Sequence, residues 1–329
     1  MCLVCEYYEG KASLDNLTEL DCSGCTKLTT FPPLKYTKLH KLVCDDCTSL
    51  TIFDASAFTS LFPQLQFLRC DGCTGLTTLP LFPQLQILVC NNCTSLKEIP
   101  HFSQLTILWC VKCPSLTTLS PLPQLQELKC NNCTSLTTIP SLPQLQAMYC
   151  NGCTLLTTLG PLPQLEYLVC NKCTSLEAIP HFPLLRQLWC GGCINLTALV
   201  PVNSLALPLL KILDCRKCTK LFTIPPLSQL QSLDCTDCTG LIIPPSGSSK
   251  LGILRCRGCP WVDHLRNPEY QENLQKLLHL QQWCKRNYKY FIFRNWIQTE
   301  DFARFFYAPD QLGGRLSKYQ LTRLVKGTN

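Results

Sequence analysis

Beyond Cys2-x-x-Cys5, the pair C-x-x-C recurs twelve times along this chain, starting at Cys22, Cys44, Cys70, Cys90, Cys110, Cys130, Cys150, Cys170, Cys190, Cys215, Cys235 and Cys256. From Cys70 to Cys190 the step is always 20 residues. A fixed period of that length is the mark of a stacked array, because so short a unit cannot bury its apolar face alone. Each pair lies in one frame, Leu85-x-x-Leu88-x-Cys90-x-x-Cys93-x-x-Leu96-x-x-Ile99-Pro100, repeated as Leu125, Leu128, Cys130, Cys133, Leu136, Ile139 and Pro140. Leu88 and Cys90 are two apart, so on a strand both face inward, while Ile87, Val89 and Asn91 face out. Stacking at about 4.8 Å per repeat turns these positions into continuous columns of Leu and Cys. The prolines at 80, 100, 140 and 180 cannot donate to a ladder, which predicts an extended, polyproline-like return side. Glutamines at 64, 84, 104, 124, 144 and 164 share one register, where an amide ladder is expected.

The frame resembles the leucine-rich repeat, L-x-x-L-x-L-x-x-N/C-x-L. Its Pro-rich return, as in Pro121-Leu122-Pro123-Gln124-Leu125, is similar to the short repeats of bacterial type. The resemblance spans Leu17 to Leu265. It implies an α/β repeat that is mostly β: a leucine-rich-repeat solenoid with a parallel sheet, an extended return side and a small helical C-terminal cap. Residues 1–260 then form about twelve repeats with a degenerate N-terminal cap around Cys2 and Cys5, and 261–329 a basic, aromatic helical domain. The longer steps before Cys70 and Cys215, and the shifted frame at Leu241-Ile242-Ile243-Pro244, are read as protruding loops.

Cysteine chemistry has two readings. Successive C-x-x-C pairs about 16 residues apart match a zinc pattern, but any 20-residue repeat carrying the pair generates that spacing by itself. The other reading is a small buried hydrophobe at the first position, where Leu is usual, and a thiol ladder at the second, where Asn or Cys closes the turn. The thiol ladder is preferred, with no metal and no cofactor. The start Met1-Cys2-Leu3-Val4-Cys5-Glu6 has no basic segment and no apolar run of secretory length, so reduced thiols are expected.

The outward positions of the strands carry the candidate site. Arg69, Trp109, Lys129, Tyr149 and Trp189 fall in the row just before the first cysteine, and Phe67, Ile87, Ile107 and Tyr167 in the row beside it. Trp109, Tyr149 and Trp189 should stand two repeats apart, roughly 10 Å. Outward apolar patches of this kind mark partner-binding faces, with Trp and Tyr the commonest anchors. Asp214 and Asp234 at one end, and Asp21, Asp45 and Asp46 at the other, would give it a polar rim.

After Pro260 the frame dissolves. From residue 261 on there are 11 Lys and Arg against 6 Asp and Glu, a net +5 of the chain's +7. Asn267-Pro268-Glu269 starts a helix, Thr299-Glu300-Asp301 a second and Ser317-x-x-Gln320 a third. The segments Tyr290-Phe291-Ile292-Phe293-Arg294-Asn295-Trp296-Ile297, Asp301-Phe302-Ala303-Arg304-Phe305-Phe306-Tyr307 and Pro309-Asp310-Gln311-Leu312-Gly313-Gly314-Arg315 resemble the tail of multigene leucine-rich-repeat proteins in the marseillevirus group of giant viruses. That resemblance implies a protein of the host cytoplasm or the virion, with viral structural or host proteins as partners.

No G-x-x-x-x-G-K-S/T, H-E-x-x-H or G-x-S-x-G is present, so no catalytic residue is assigned. The enzymatic rival is a ubiquitin-ligase-type effector using Cys284, but Cys284-Lys285-Arg286 stands where C-x-D is expected. A zinc-binding or redox cysteine repeat protein is the other rival. No apolar stretch is long enough for membrane insertion, a net +5 is modest for nucleic acid, and nothing points to a small-molecule substrate. The reading is a non-enzymatic protein-protein interaction scaffold, either a virion component or a soluble adaptor for host factors.

Overall fold

The alternation of the frame is realised as twelve three-residue strands, whose middle residue is buried in every strand but the last. They are Glu19–Asp21, Lys41–Val43, Phe67–Arg69, Ile87–Val89, Ile107–Trp109, Glu127–Lys129, Ala147–Tyr149, Tyr167–Val169, Gln187–Trp189, Ile212–Asp214, Ser232–Asp234 and Ile253–Arg255. In this computed structural model, which describes residues 2–11, 13–14, 16–32, 36–53, 61–199, 207–241 and 250–260, they form one parallel sheet in chain order. Each residue pairs with its counterpart in the next repeat, as Leu88 with Leu108 and Leu108 with Leu128. The architecture is a parallel-sheet β-solenoid, twelve strands wide. Leu3–Tyr8 is the one helix that the described residues contain whole, and it stands where the degenerate first repeat was expected. The helical domain expected at 261–329, with Cys284, and the loops expected at 54–60, 200–206 and 242–249, lie outside the described residues.

Identical neighbours put like on like, so each frame position becomes a column. Leu85, Leu105, Leu125 and Leu145 are fully buried, as are Leu76, Leu96, Leu116 and Leu136. The return side is extended, with short parallel pairings of Glu98–Ile99 with Thr118–Leu119 and of Thr138–Ile139 with Thr158–Leu159. Beneath it Phe31 stacks on Phe53 at 5.5 Å and Phe82 on Phe102 at 6.1 Å. Leu122, Leu142 and Leu162 continue the column of Phe82 and Phe102.

Each residue of the C-x-x-C turn has its own task. The first cysteine ends the strand, its amide bonding the next repeat, as Cys90 N to Trp109 O at 2.7 Å. The second cysteine donates its thiol to the carbonyl of the first cysteine one repeat earlier: Cys93 to Cys70 at 3.0 Å, Cys113 to Cys90 at 3.1 Å, Cys133 to Cys110 at 2.9 Å. The same bond recurs from Cys47 through Cys259. That carbonyl otherwise has a weak i+3 amide contact at best, such as Cys133 N to Cys130 O at 3.3 Å. A buried acceptor without a donor costs about 1–3 kcal/mol. A thiol is small enough to stack in a column and still supplies that donor, which is why sulfur occupies this position in every repeat.

The residue after the first cysteine carries the amide ladder. Asp71 Oδ1 accepts from Asn91 N at 2.7 Å, Asn91 Oδ1 from Val111 N at 2.8 Å, and Asn151 Oδ1 from Asn171 N at 2.9 Å. The glutamine register at 64, 84, 104, 124, 144 and 164 does not form the expected ladder. Those side chains are exposed on the turn that precedes the strand, and among the described residues no hydrogen bond joins them. The ladder runs instead through the Asp and Asn side chains held at the end of the strand.

The residue two after the first cysteine is left-handed throughout, with φ from 53° at Asp46 to 75° at Gly192 and Gly258. Gly, Asn and Asp fill most of these sites, as the conformation favours. At Gly72 a side chain would also meet the Asp46 carboxylate of the preceding turn. Lysine holds three of them, Lys112, Lys172 and Lys217. Lys172→Gly removes the steric cost of a left-handed lysine and should stabilise the protein by about 0.5–1 kcal/mol. An upward shift of the urea midpoint checks this, and a downward one would show that the lysine stem contributes more than its backbone costs.

Candidate functional site

Strand alternation places the nine sequence-predicted residues on one outer face of the twelve-stranded sheet. The register aligns Arg69, Val89, Trp109, Lys129, Tyr149, Val169 and Trp189 as one row of paired positions. Phe67, Ile87, Ile107, Glu127, Ala147, Tyr167 and Gln187 form the row beside it. Phe67, Ile87, Ile107, Trp109, Lys129, Tyr149 and Trp189 are half-buried, and Tyr167 and Arg69 are exposed. Val89, expected to face out, does so but is only 7% exposed, since it sits between the long side chains of Arg69 and Trp109.

The centre of the face is a preassembled cluster. Lys129 Nζ lies 3.9 Å from the centre of the Trp109 ring and 5.5 Å from that of Tyr149. Glu127 Oε1 takes the Trp109 indole N–H at 3.0 Å and the Lys129 ammonium at 2.8 Å. A cation over an aromatic face is worth about 0.5–2 kcal/mol, and the half-exposed ion pair contributes at the low end of its range. The larger consequence is order: the indole and the ammonium are held before anything binds, so less rotamer entropy is lost on contact. Sequence reasoning did not identify Glu127, although its place two residues before Lys129 on the same strand face was a usable signal.

Two open depressions flank this cluster. One is lined by Trp109, Val111 and Lys129 with Asn91, Asn92 and Lys112. The other is lined by Tyr149, Tyr167, Val169, Asn171, Gln187 and Trp189. The row thus separates into two hollows with Lys129 and Tyr149 between them. Asn171 holds its place in the second through the amide ladder, its Oδ1 accepting from Gly191 N at 2.7 Å.

Charged residues bound the aromatic middle, and they come as interlocked pairs. Arg69 Nε lies 3.0 Å from Asp45 and 3.1 Å from Asp71. At the other end Arg216 reaches Asp214 at 2.8 Å and Asp234 at 3.9 Å. Asp21 accepts from the Ser23 hydroxyl and amide, which hold its carboxyl below the usual range. Of the expected rim, Asp21, Asp45, Asp214 and Asp234 are engaged in this way, and Asp46 is the exposed left-handed residue of its turn.

The thiols of the array face the opposite way. The 26 described cysteines are all free, and the first-column members from Cys44 to Cys215 are buried. The sulfurs that these thiols face in the neighbouring repeat, Cys93 for Cys70 and Cys113 for Cys90, together with full burial, push them well above their ordinary range. Among the described residues, the group of Cys, His, Asp or Glu that gathers three ligand atoms within 4.8 Å of one another is Cys2, Cys5 and Cys25. No described helix is long and apolar enough to cross a membrane.

No protein-family model and no curated protein matches the sequence. Among solved structures the chain is similar to a leucine-rich repeat protein from Bacteroides ovatus, at 15% identity over 74% of this chain and 88% of that one, with a TM-score of 0.33.

Proposed function

We propose that this protein is a non-enzymatic scaffold that binds another protein across the outer face of its sheet. The observation that carries this reading is the preassembled Trp109, Lys129 and Tyr149 cluster, with hollows on both sides, on a face bounded by ion-paired aspartates. Large, rigid, half-buried aromatics ringed by polar groups have the make-up of an interface hot spot. The partner is a protein that presents apolar side chains to the two hollows and polar groups to the rim. Binding then depends on apolar burial at the centre more than on net charge, because Asp45, Asp71, Asp214 and Asp234 of the rim already share ion pairs with Arg69 and Arg216.

The triple substitution Trp109→Ser, Tyr149→Ser, Trp189→Ser tests it against Leu81→Ser, Leu155→Ser, Phe222→Ser, which removes exposed apolar residues lying outside the sheet strands. Partners recovered with the wild-type protein should bind the first variant about 100-fold more weakly and the second as before. Unchanged binding by the first variant would overturn the assignment. The resemblance of residues 290–315 to giant-virus tails supports two versions of this reading, a virion component held among viral structural proteins and a soluble adaptor for host factors. Mass spectrometry of purified particles separates them, near-stoichiometric recovery supporting a virion component and absence favouring a soluble adaptor for host factors.

A further inference from the structure

One cysteine of the C-x-x-C array breaks its hydrogen-bond rule. From Cys47 onward every described second cysteine donates its thiol to the first-cysteine carbonyl of the repeat before it. Cys25 is the second cysteine of the first full repeat, and the pair one period earlier is Cys2-x-x-Cys5. There the chain forms the helix Leu3–Tyr8, and the carbonyls of Cys2 and Cys5 are taken by the amides of Glu6 and Glu9 at 3.1 and 3.2 Å. The acceptor that Cys25 would use is spent on the helix.

Sulfur faces sulfur instead. Cys5 Sγ lies 3.2 Å from Cys25 Sγ and 3.7 Å from Cys2 Sγ. All three ligand atoms lie within 4.8 Å of one another. Cys2 and Cys5 are half-buried, in contrast to the sealed thiols of the columns, and Cys25 is 8% exposed. A depression lined by Cys2, Cys25, Asp21, Ser23 and Gly24 opens beside them. Four ligands held tetrahedrally at a zinc–sulfur distance of about 2.3 Å stand about 3.8 Å apart. The Cys2 and Cys5 sulfurs are already at that spacing, and the Cys5 to Cys25 pair reaches it by opening about 0.6 Å.

We propose that Cys2, Cys5 and Cys25 form a three-thiolate zinc site that fastens the N-terminal helix to the first repeat, with its fourth position facing the adjacent depression. Each thiol gives its proton to solvent as its sulfur bonds the ion, so one Zn²⁺ displaces three protons and a water completes the tetrahedron. Soft thiolates at this spacing select zinc over magnesium or calcium, which take oxygen ligands. The column thiols do not compete, because those of the second column would have to give up their carbonyls and those of the first are sealed from water. A terminal repeat needs a cap, and the helix that buries Val4 fully supplies one; the ion would add covalent-strength bonds to that contact.

The test uses the full chain, reduced and then desalted after addition of zinc, with bound metal measured by elemental analysis and cobalt(II) as a spectroscopic probe of thiolate ligation. One zinc per chain is expected, with thiolate-to-cobalt charge transfer in the substituted protein. Cys5→Ser and Cys25→Ser should each weaken zinc binding at least about 100-fold, since loss of a supporting contact alone costs 10–100-fold. Cys110→Ser, in the sealed column, should keep its ion. If the N-terminal variants fail to fold, the wild-type protein still decides the matter, because zinc should shield three thiols from a disulfide reagent under native conditions. A wild-type chain that retains no zinc, or whose zinc content is the same in both N-terminal variants, would overturn the proposal.

Discussion

Raising the pH from 8 to 9.5 should cost the solenoid about 10 kcal/mol of stability if the stack unfolds as one unit. Nine first-column thiols, Cys44, Cys70, Cys90, Cys110, Cys130, Cys150, Cys170, Cys190 and Cys215, are held well above the usual thiol range by neighbouring sulfurs and by burial. An unfolded cysteine ionises near pH 8.5. Below that value both states are protonated and pH has no purchase on these groups. Above it the unfolded chain loses protons that the native chain keeps, so the unfolded state gains about 1.4 kcal/mol per thiol for each further pH unit. The sum rivals the whole stability of an ordinary domain, about 5–15 kcal/mol. Urea midpoints measured under reducing conditions should therefore fall steeply beyond pH 8.5. A midpoint still level at pH 9.5 would mean that the columns admit water or ionise in place.

The second large effect is an inversion between neighbouring cysteines. Cys133→Ala removes the donor on the Cys110 carbonyl and leaves a small cavity in a fully buried column, a cost of about 3 kcal/mol. Cys133→Ser keeps a donor at that carbonyl and should recover about 1 kcal/mol of the loss. At Cys130 the order reverses. Its thiol meets the sulfur of Cys153, and a serine hydroxyl there would be buried against a poor acceptor, so Cys130→Ser should be less stable than Cys130→Ala. Chemical denaturation of the four variants gives the two orderings. Serine better than alanine at both positions, or at neither, would remove the carbonyl-capping role assigned to the second column.

The rest of the turn shows how far a repeated pattern can be read. Leu88 and Cys90 were legible as inward positions because side-chain direction on a strand depends only on parity. The same parity put Trp109, Lys129, Tyr149 and Trp189 in one row. The glutamine register was as regular as the asparagine register one turn away, and periodicity alone cannot rank them. Only the path of the backbone shows that Asn91 and Asn151 lean along the stack while Gln84 and Gln144 point to water. Val89 makes the same point on the outer face, where exposure depends on the Arg69 and Trp109 side chains in adjacent strands, twenty residues away in each direction.

The sequence by itself determined that the chain stacks in 20-residue turns, which side chains enter the columns and which line the open face, since these follow from a period and an alternation that every repeat restates. Only the tertiary structure decided what the second cysteine bonds, that Glu127 locks Trp109 and Lys129 together, and that Cys25 turns to Cys2 and Cys5. Those outcomes depend on contacts between repeats, and at the first repeat on a helix replacing a strand. The partner of a side chain there is set by the neighbouring turn of the coil, and no local pattern encodes it.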